Sequence, residues 1–239
     1  MTTLFISDLH LDDGRPETTS WLLKFLKTEA ADAQALYILG DLFEFWLGDD
    51  VPSQCSTTVA TALARLHDQG VACYFMHGNR DFLLGDEYAE RAGMSLLAEE
   101  FVVDLYGEPV LLMHGDSLCT DDVPYQQFRK LVRKPAWQDD FLSKTPAERL
   151  QIALQARDAS AEHKDNIEMQ IMDVNQFQVG AAFERHAVQK LIHGHTHRPA
   201  THDLEVNGAA AQRIVLGDWY TQGSVLRVDA GHYELSGLS

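Results

Sequence analysis

The chain has 239 residues, 45% of them hydrophobic, which is enough for one sizeable α/β core. Nineteen Lys and Arg stand against 36 Asp and Glu, a net charge of −17, and so acidic a surface repels nucleic-acid phosphate. Three widely spaced cysteines (Cys55, Cys73 and Cys119) without a Cys-x-x-Cys argue against a disulfide scaffold or zinc ribbon and for a reducing compartment.

The N-terminus, Met1-Thr2-Thr3-Leu4-Phe5-Ile6, has no basic region and runs straight into Ser7-Asp8-Leu9-His10, so no signal peptide is expected. No apolar run reaches the ~18 residues of a membrane span. Along the chain, short apolar runs end in polar clusters. Leu4-Ile6 leads into Asp8 and His10, Ala35-Leu39 into Gly40-Asp41, and Val71-Met76 into His77-Gly78-Asn79-Arg80-Asp81. Val110-Met113 leads into His114-Gly115-Asp116, and Lys190-Ile192 into His193-Gly194-His195-Thr196-His197. Continuous apolar runs bounded by turn residues predict strands buried on both faces. Helical patterns over Trp21-Lys27 and Thr57-Gln69 alternate with them, which implies β-α-β units. Ligands gather at the carboxyl ends of such strands, so the five clusters should share one rim.

Residues 121–165 break this rhythm. Helices are expected over Pro124-Val132 and from Pro146 to about Lys164. The stretch carries eight basic and eight acidic residues, so the charge of −17 lies outside it. Apolar residues interleave with the charges, and the segment reads as a helical insertion or cap. The tail from about Gln212 reads as short strands over Arg213-Leu216, Gly223-Val228 and His232-Leu235, an antiparallel finish to the sheet.

The rim gathers two carboxylates (Asp8, Asp41), one amide (Asn79) and four imidazoles (His10, His114, His195, His197). Hard oxygen with imidazole nitrogen suits borderline divalent first-row metals, and the absence of thiolate argues against structural zinc. Seven donors exceed what one ion needs if water and substrate are to have open positions. Two ions sharing a carboxylate use them well, and such a pair suits in-line displacement at phosphorus. His193 and His77, inside the motifs, are read as structural.

The ordered set Asp-x-His, Gly-Asp, Gly-Asn, His-Gly-Asp and Gly-His-x-His resembles the calcineurin-like metallophosphoesterases over nearly the whole chain. That resemblance implies a β-sandwich flanked by helices, with the insertion as cap. It implies one metal on Asp8, His10, Asp41 and His197, and another on Asp41, Asn79, His114 and His195, with Asp41 bridging. The usual second aspartate is Glu44 here, and the usual histidine after Gly-Asn is Arg80. Arg80 stays charged and can neutralise phosphate oxygens but cannot readily protonate a leaving group. A sugar-phosphate leaving group needs little protonation, so the swap fits a pyrophosphate.

These departures, with Gly40-Asp41-Leu42-Phe43-Glu44-Phe45-Trp46, His77 to Gly85, Ile171 to Asn175 and His193 to Pro199, resemble the UDP-2,3-diacylglucosamine pyrophosphatases of lipid A biosynthesis. The resemblance implies two Mn²⁺ per chain and water attack on the α-phosphorus, yielding UMP and 2,3-diacylglucosamine 1-phosphate. It implies catalytic roles for Asp41, Asn79, Arg80, His114 and His195. Substrate contacts are expected at Asn79, Arg80, Asp122, Ser160, Lys164 and His195. Ile167 stands where the family often has lysine. An apolar slot for two acyl chains would be lined by Tyr125, Phe128, Phe141 and Ile152, with Trp46 at its mouth and basic residues, Arg157 among them, around it. The expected setting is a monomer, peripheral on the cytoplasmic face of the inner membrane. The alternative is a soluble phosphodiesterase or dinucleotide pyrophosphatase of the same superfamily.

Overall fold

The computed structural model describes residues 2–165 and 173–238, the side chains of 158–165 excepted. Eleven strands, seven α-helices and two 3-10 turns are assigned among them, the shortest of the α-helices being α3 (Asp86–Arg91). One sheet has six strands, β1 (Thr3–Ile6), β2 (Ala35–Leu39), β3 (Ala72–Met76), β4 (Met94–Leu97), β10 (Ser224–Asp229) and β11 (His232–Gly237), in the order β11-β10-β1-β2-β3-β4. The other has five, β5 (Glu100–Leu105), β6 (Glu108–Met113), β7 (Lys190–His193), β8 (Ala200–Val206) and β9 (Ala209–Val215), in the order β5-β6-β7-β9-β8. Strands β1 to β4 run parallel, as do β6, β7 and β9, while β10 and β11 close the first sheet antiparallel.

The period of two along each strand explains the continuous apolar runs. Leu4, Ile6, Leu36, Ile38, Cys73 and Phe75 face one cluster, which α1 (Pro16–Lys27) and α2 (Gln54–Asp68) cover through Leu22, Phe25, Val59 and Leu63. Phe5, Tyr37, Leu39 and Met76 face the opposite way and meet Val110, Leu112, Ile192 and Ile214 of the second sheet. Phe5, Tyr37 and Tyr74 stack across three strands at centroid distances of 4.9 and 4.6 Å. On the outer face of the second sheet, Leu111, Met113 and Leu191 pack against Val179, Ala182 and Phe183 of α7 (Gln176–His186). The result is a two-sheet sandwich with helices outside each sheet.

Between β6 and α7 the chain forms α4 (Val123–Val132), α5 (Pro135–Leu142) and α6 (Pro146–Asp165). Asp122 caps α4, accepting a hydrogen bond from the Tyr125 amide at 3.0 Å. Three arginines fasten the insertion to the sandwich. Arg129 Nε donates to Asp116 Oδ2 at 2.7 Å, and Arg133 Nη2 donates to the Gly78 carbonyl at 2.8 Å. Arg149, only 5% exposed, donates to the Leu47 carbonyl at 2.9 Å and to Asp50 Oδ1 at 2.6 Å. No helix among the described residues is long and apolar enough to cross a membrane.

Candidate metal centre

The five polar clusters lie at the carboxyl ends of β1, β2, β3, β6 and β7, and their loops are laced together. Asp8 and His10 amides donate to the Gly40 and Asp41 carbonyls at 3.1 and 2.9 Å. The Gly194 amide donates to the His114 carbonyl at 2.8 Å, the His195 amide to Asp8 Oδ2 at 2.9 Å, and the Arg80 amide to Asp41 Oδ1 at 2.8 Å. Glycine is required where these loops touch: a Cβ on Gly78 would collide with Asp41, and one on Gly194 with Asp8 and Ser7.

The seven candidate ligands come together as two groups. Asp8, His10 and His197 form one, and Asp41, His114 and His195 the other. Asn79 Oδ1 stands 3.0 Å from His114 Nε2 and 2.8 Å from His195 Nδ1. Asp41 lies between the groups, with Oδ2 3.8 Å from His10 Nε2 and Oδ1 3.7 Å from His114 Nε2. The donor set fits a pair of divalent cations. Ligands bound at about 2.0–2.2 Å around a tetrahedral or octahedral ion sit roughly 3.0–3.5 Å from one another. His10 Nε2 is 3.2 Å from His197 Nε2, and His197 Nε2 is 3.3 Å from Asp8 Oδ1. Asp8 Oδ1 is buried without an aligned hydrogen bond, a costly arrangement that a cation there would relieve. His114 Nδ1 is turned to the Leu39 carbonyl at 2.8 Å, which leaves Nε2 free to ligate.

Backbone strain points the same way. Among the described residues eight non-glycine positions have positive φ, and Asp8, His10, Asp41, His195 and His197 are five of them. Each costs on the order of 1 kcal/mol or more, and such outliers gather where a site overrides local preference.

The electrostatics are those of a dense site. Burial alone would raise Asp8, but the nearby imidazoles of His197, His114 and His10 outweigh it and hold the carboxyl well below its ordinary range. Burial, with the neighbouring His114, pushes His195 down to about 3. For His114 burial is outweighed by Asp41, Asp8 and Asp116, which raise it.

Several residues without a role in the sequence reading hold this arrangement. Buried Asp81 accepts from four amides: Leu42 at 2.7 Å, Gly78 at 2.9 Å, and Asp41 and Phe43 at 3.3 Å each. It therefore ties the Asp41 loop to the Asn79 loop. Glu44 faces His10 Nδ1 at 3.2 Å, Arg15 at 3.4 Å and Arg80 at 3.8 Å. Asp116, in the His114-Gly115-Asp116 turn, accepts from the Tyr125 hydroxyl at 2.8 Å as well as from Arg129. The signal for all three was present, a carboxylate inside or just after a motif. Most of their partners lie elsewhere in the sequence, as Leu42 does from Asp81 and His10 from Glu44, and cannot be read from spacing.

The expected substrate contacts divide. Asn79, Arg80 and His195 are at the centre, and the Tyr125 ring lies 6.0 Å from His195. Phe128 is 43% exposed on α4, and Ile152 packs partly buried against the main core. Two slot residues need correction. Trp46 is not at a slot's mouth; it is buried between Phe43 and Tyr88, with its indole N–H donating to Asp49 Oδ1 at 2.9 Å. Phe141 is buried beneath α5, stacked on Trp137 at 5.2 Å. Both carry large apolar areas that the core takes up. Asp122 is the cap residue of α4, and Arg157 is exposed on α6. The side chains of Ser160 and Lys164, and Ile167, lie outside the described residues. Of the basic residues expected around the slot, Arg129, Arg133 and Arg149 are paired with the sandwich. His193 is fully buried, its Nε2 3.2 Å from Arg213 Nη1, and burial with that charge pushes it down to about 4. His77 Nε2 lies 2.7 Å from the Leu84 carbonyl.

Residues 1–199 match the family described as calcineurin-like phosphoesterase. The chain belongs to this family. Curated relatives extend the likeness to the full length. A protein of Stenotrophomonas maltophilia named UDP-2,3-diacylglucosamine hydrolase is 56% identical, covering 100% of this chain and 99% of its own. One of the same name from Xanthomonas axonopodis is 53% identical, covering 100% of both. A solved structure of an archaeal phosphodiesterase covers 100% of both chains with a TM-score of 0.50 and 13% identity, a likeness of fold. This phosphoesterase is accordingly a hydrolase, with two clusters able to hold a metal ion.

Proposed function

We propose that the chain hydrolyses the pyrophosphate bond of UDP-2,3-diacylglucosamine at a dinuclear manganese centre, giving UMP and 2,3-diacylglucosamine 1-phosphate. The observation that carries this reading is identity of 53–56% over the full length to relatives bearing that substrate's name. The two donor groups joined by Asp41 support the metal pair. Asp8, His10, Asp41 and His197 would hold one ion, and Asp41, Asn79, His114 and His195 the other. When bound, the ions supply charge neutralisation at the attacked phosphoryl group and a more acidic water.

The remaining work falls to the chain. Water attacks the α-phosphorus, and the bond from that phosphorus to the bridging oxygen breaks, releasing the sugar 1-phosphate. Arg80, 20% exposed, neutralises phosphate oxygens with a charge that persists at any working pH. Its side chain is oriented by Glu44. The leaving phosphate is a weak base, so no strong general acid is needed. Asn79 and His195 bind the phosphoryl oxygens, and Tyr125 closes one side of the site against water.

Residues 121–165 act as a lipid cap over this rim. Phe128, Leu131, Leu150 and Leu154 are 38–47% exposed on its helices, an unusual amount of apolar surface for so short a segment. They would receive the acyl chains, with Tyr125 and Ile152 between them and the sandwich. Arg157, Ser160, Lys164 and Asp122 are the cap's polar contacts in this scheme. The enzyme would work as a monomer on the cytoplasmic face of the inner membrane.

The test is hydrolysis of the lipid nucleotide in detergent micelles with Mn²⁺, following UMP beside a diadenosine polyphosphate control. UMP from the lipid substrate alone, lost on chelation, is the expected result. Turnover of the soluble control instead would keep the two-metal chemistry and refute the lipid assignment.

A further inference from the structure

The family match ends at residue 199, yet a later segment reaches the metal centre. The loop between β9 and β10 brings Asp218, Trp219 and Tyr220 against the Asp8, His10 and His197 group, and Tyr220 meets both His10 and, at 5.6 Å between ring centroids, His197. Asp218 Oδ2 stands 3.7 Å from His197 Nδ1. The Trp219 amide donates to the Asp8 carbonyl at 3.1 Å. The Tyr220 ring stacks on His10, centroids 5.2 Å apart and planes within 7°. Arg15 completes the arrangement: its guanidinium lies 5.0 Å from the Tyr220 centroid, and its Nη2 donates to the His10 carbonyl at 2.5 Å. The segment is held in place from below. Trp219 is fully buried, donates its indole N–H to the Ser224 carbonyl at 3.1 Å, and meets Phe25 edge to face.

The second group is held differently. His114 is oriented by the Leu39 carbonyl and by Asn79, and His195 by Asn79 with Tyr125 beside it. Those partners come from the sheet and the insertion, and none from residues 218–220.

We propose that Asp218, Trp219 and Tyr220, with Arg15, form an outer wall serving only the metal position built by Asp8, His10 and His197. The inference rests on the two-metal reading above and adds that the outer partners of the two positions come from different parts of the chain. Tyr220 and Asp218 are positioning residues. The ring fixes the plane of His10 and covers its outer face, and the carboxylate sets which nitrogen of His197 is turned inward. Outer partners of this kind govern metal affinity as well as ligand orientation.

The test is a Mn²⁺ titration of the metal-stripped full-length protein. Free Mn²⁺ is followed by electron paramagnetic resonance, together with the exchange-coupled signal that only paired ions give. Wild type is expected to take up two ions. In Tyr220→Ala one affinity falls by about 10- to 100-fold while the other stays at the wild-type value, and the paired signal drops at limiting Mn²⁺. Tyr220→Phe keeps the ring and restores both. Asp218→Asn, at a partly exposed position, weakens the same ion and serves should the alanine variant fold poorly. Wild-type binding of both ions in Tyr220→Ala and Asp218→Asn would overturn the wall and leave the two-metal reading intact. So would an equal loss at both positions in Tyr220→Ala. Uptake of a single ion by the wild type would overturn both.

Discussion

Asp116 couples the insertion to the metal rim, and its removal should be felt in both. Its carboxylate is 3% exposed and Arg129 is 14% exposed, with 2.7 Å between them. Burial alone would raise Asp116, but His114 and Arg129 outweigh it and hold the group ionised. Removing one partner of a buried pair costs about 3–5 kcal/mol, because the other charge is left uncompensated. Arg129 retains Glu99 at 2.9 Å, and Glu99 is 47% exposed, so part of that loss is offset. The Tyr125 hydroxyl also loses its acceptor. Asp116→Ala should therefore destabilise by about 2–4 kcal/mol, which in a chain of this size lowers Tm by roughly 5–15 °C. Asp116→Asn, which keeps an oxygen for Tyr125 but not the charge, should lose about half as much. Thermal unfolding measures the first effect. Limited proteolysis measures the second, since freeing α4 should speed cleavage within residues 121–165. A Tm within ~2 °C of wild type, with unchanged proteolysis, would refute the coupling.

Other outcomes follow from the same geometry. Asp81→Asn presents an amide N–H to backbone N–H groups that now donate to carboxylate. The Asp41 and Asn79 loops should separate, with Mn²⁺ affinity falling at least ~10-fold by titration; wild-type affinity would contradict that role. Arg80→Ala should lower kcat on the diphosphate substrate by ~10²-fold, as for loss of one charged transition-state donor, while Mn²⁺ occupancy holds. Equal loss of Mn²⁺ would make Arg80 structural. Glu100 pairs with Arg185 and His186 at 2.7 and 2.5 Å. Burial raises its carboxyl, but these partners together outweigh it and depress it. A depressed folded value means that the stabilisation is full above the ordinary glutamate range, near 4.3, and fades as pH falls through the folded value. Glu100→Gln should thus lower the urea midpoint at about pH 7, by the ~0.5–1 kcal/mol of a partly exposed pair, and by less at about pH 3. An equal deficit at both pH values would show that charge is not the cause.

The parts of the fold legible in the sequence are those where two faces of a strand are buried. β1, β2, β3, β6 and β7 read as apolar runs because Leu4 and Ile6 face the helices while Phe5 faces the other sheet. The strands that escaped notice are β4, β5 and β8. β8, Ala-Thr-His-Asp-Leu-Glu-Val, lies at the edge of its sheet and alternates half-buried with exposed residues. Its period of two is carried by residues that are also common in loops. α5 and α7 were missed for a related reason: short helices whose start is set by Pro135 and Asn175 carry little periodic signal.

The candidate ligands were legible for a different reason from the groups that hold them. A ligand must be one of a few residue types at a strand's end, so chemistry narrows the choice before geometry is known. A supporting group need only place a donor, an acceptor or a ring at the right point, and it can come from anywhere in the chain. Arg129, Arg133 and Arg149 illustrate the ambiguity. Their sequence context suits a basic patch for lipid phosphate, yet each is paired with an acid or a carbonyl of the sandwich. Asp218 and Tyr220 lie more than 200 residues from Asp8 and His10 in sequence, and no motif marks them. The two classes differ in what chemistry demands of them: a candidate ligand must present a metal-binding atom, whereas an arginine fastening such as Arg133 need only reach a carbonyl of the sandwich.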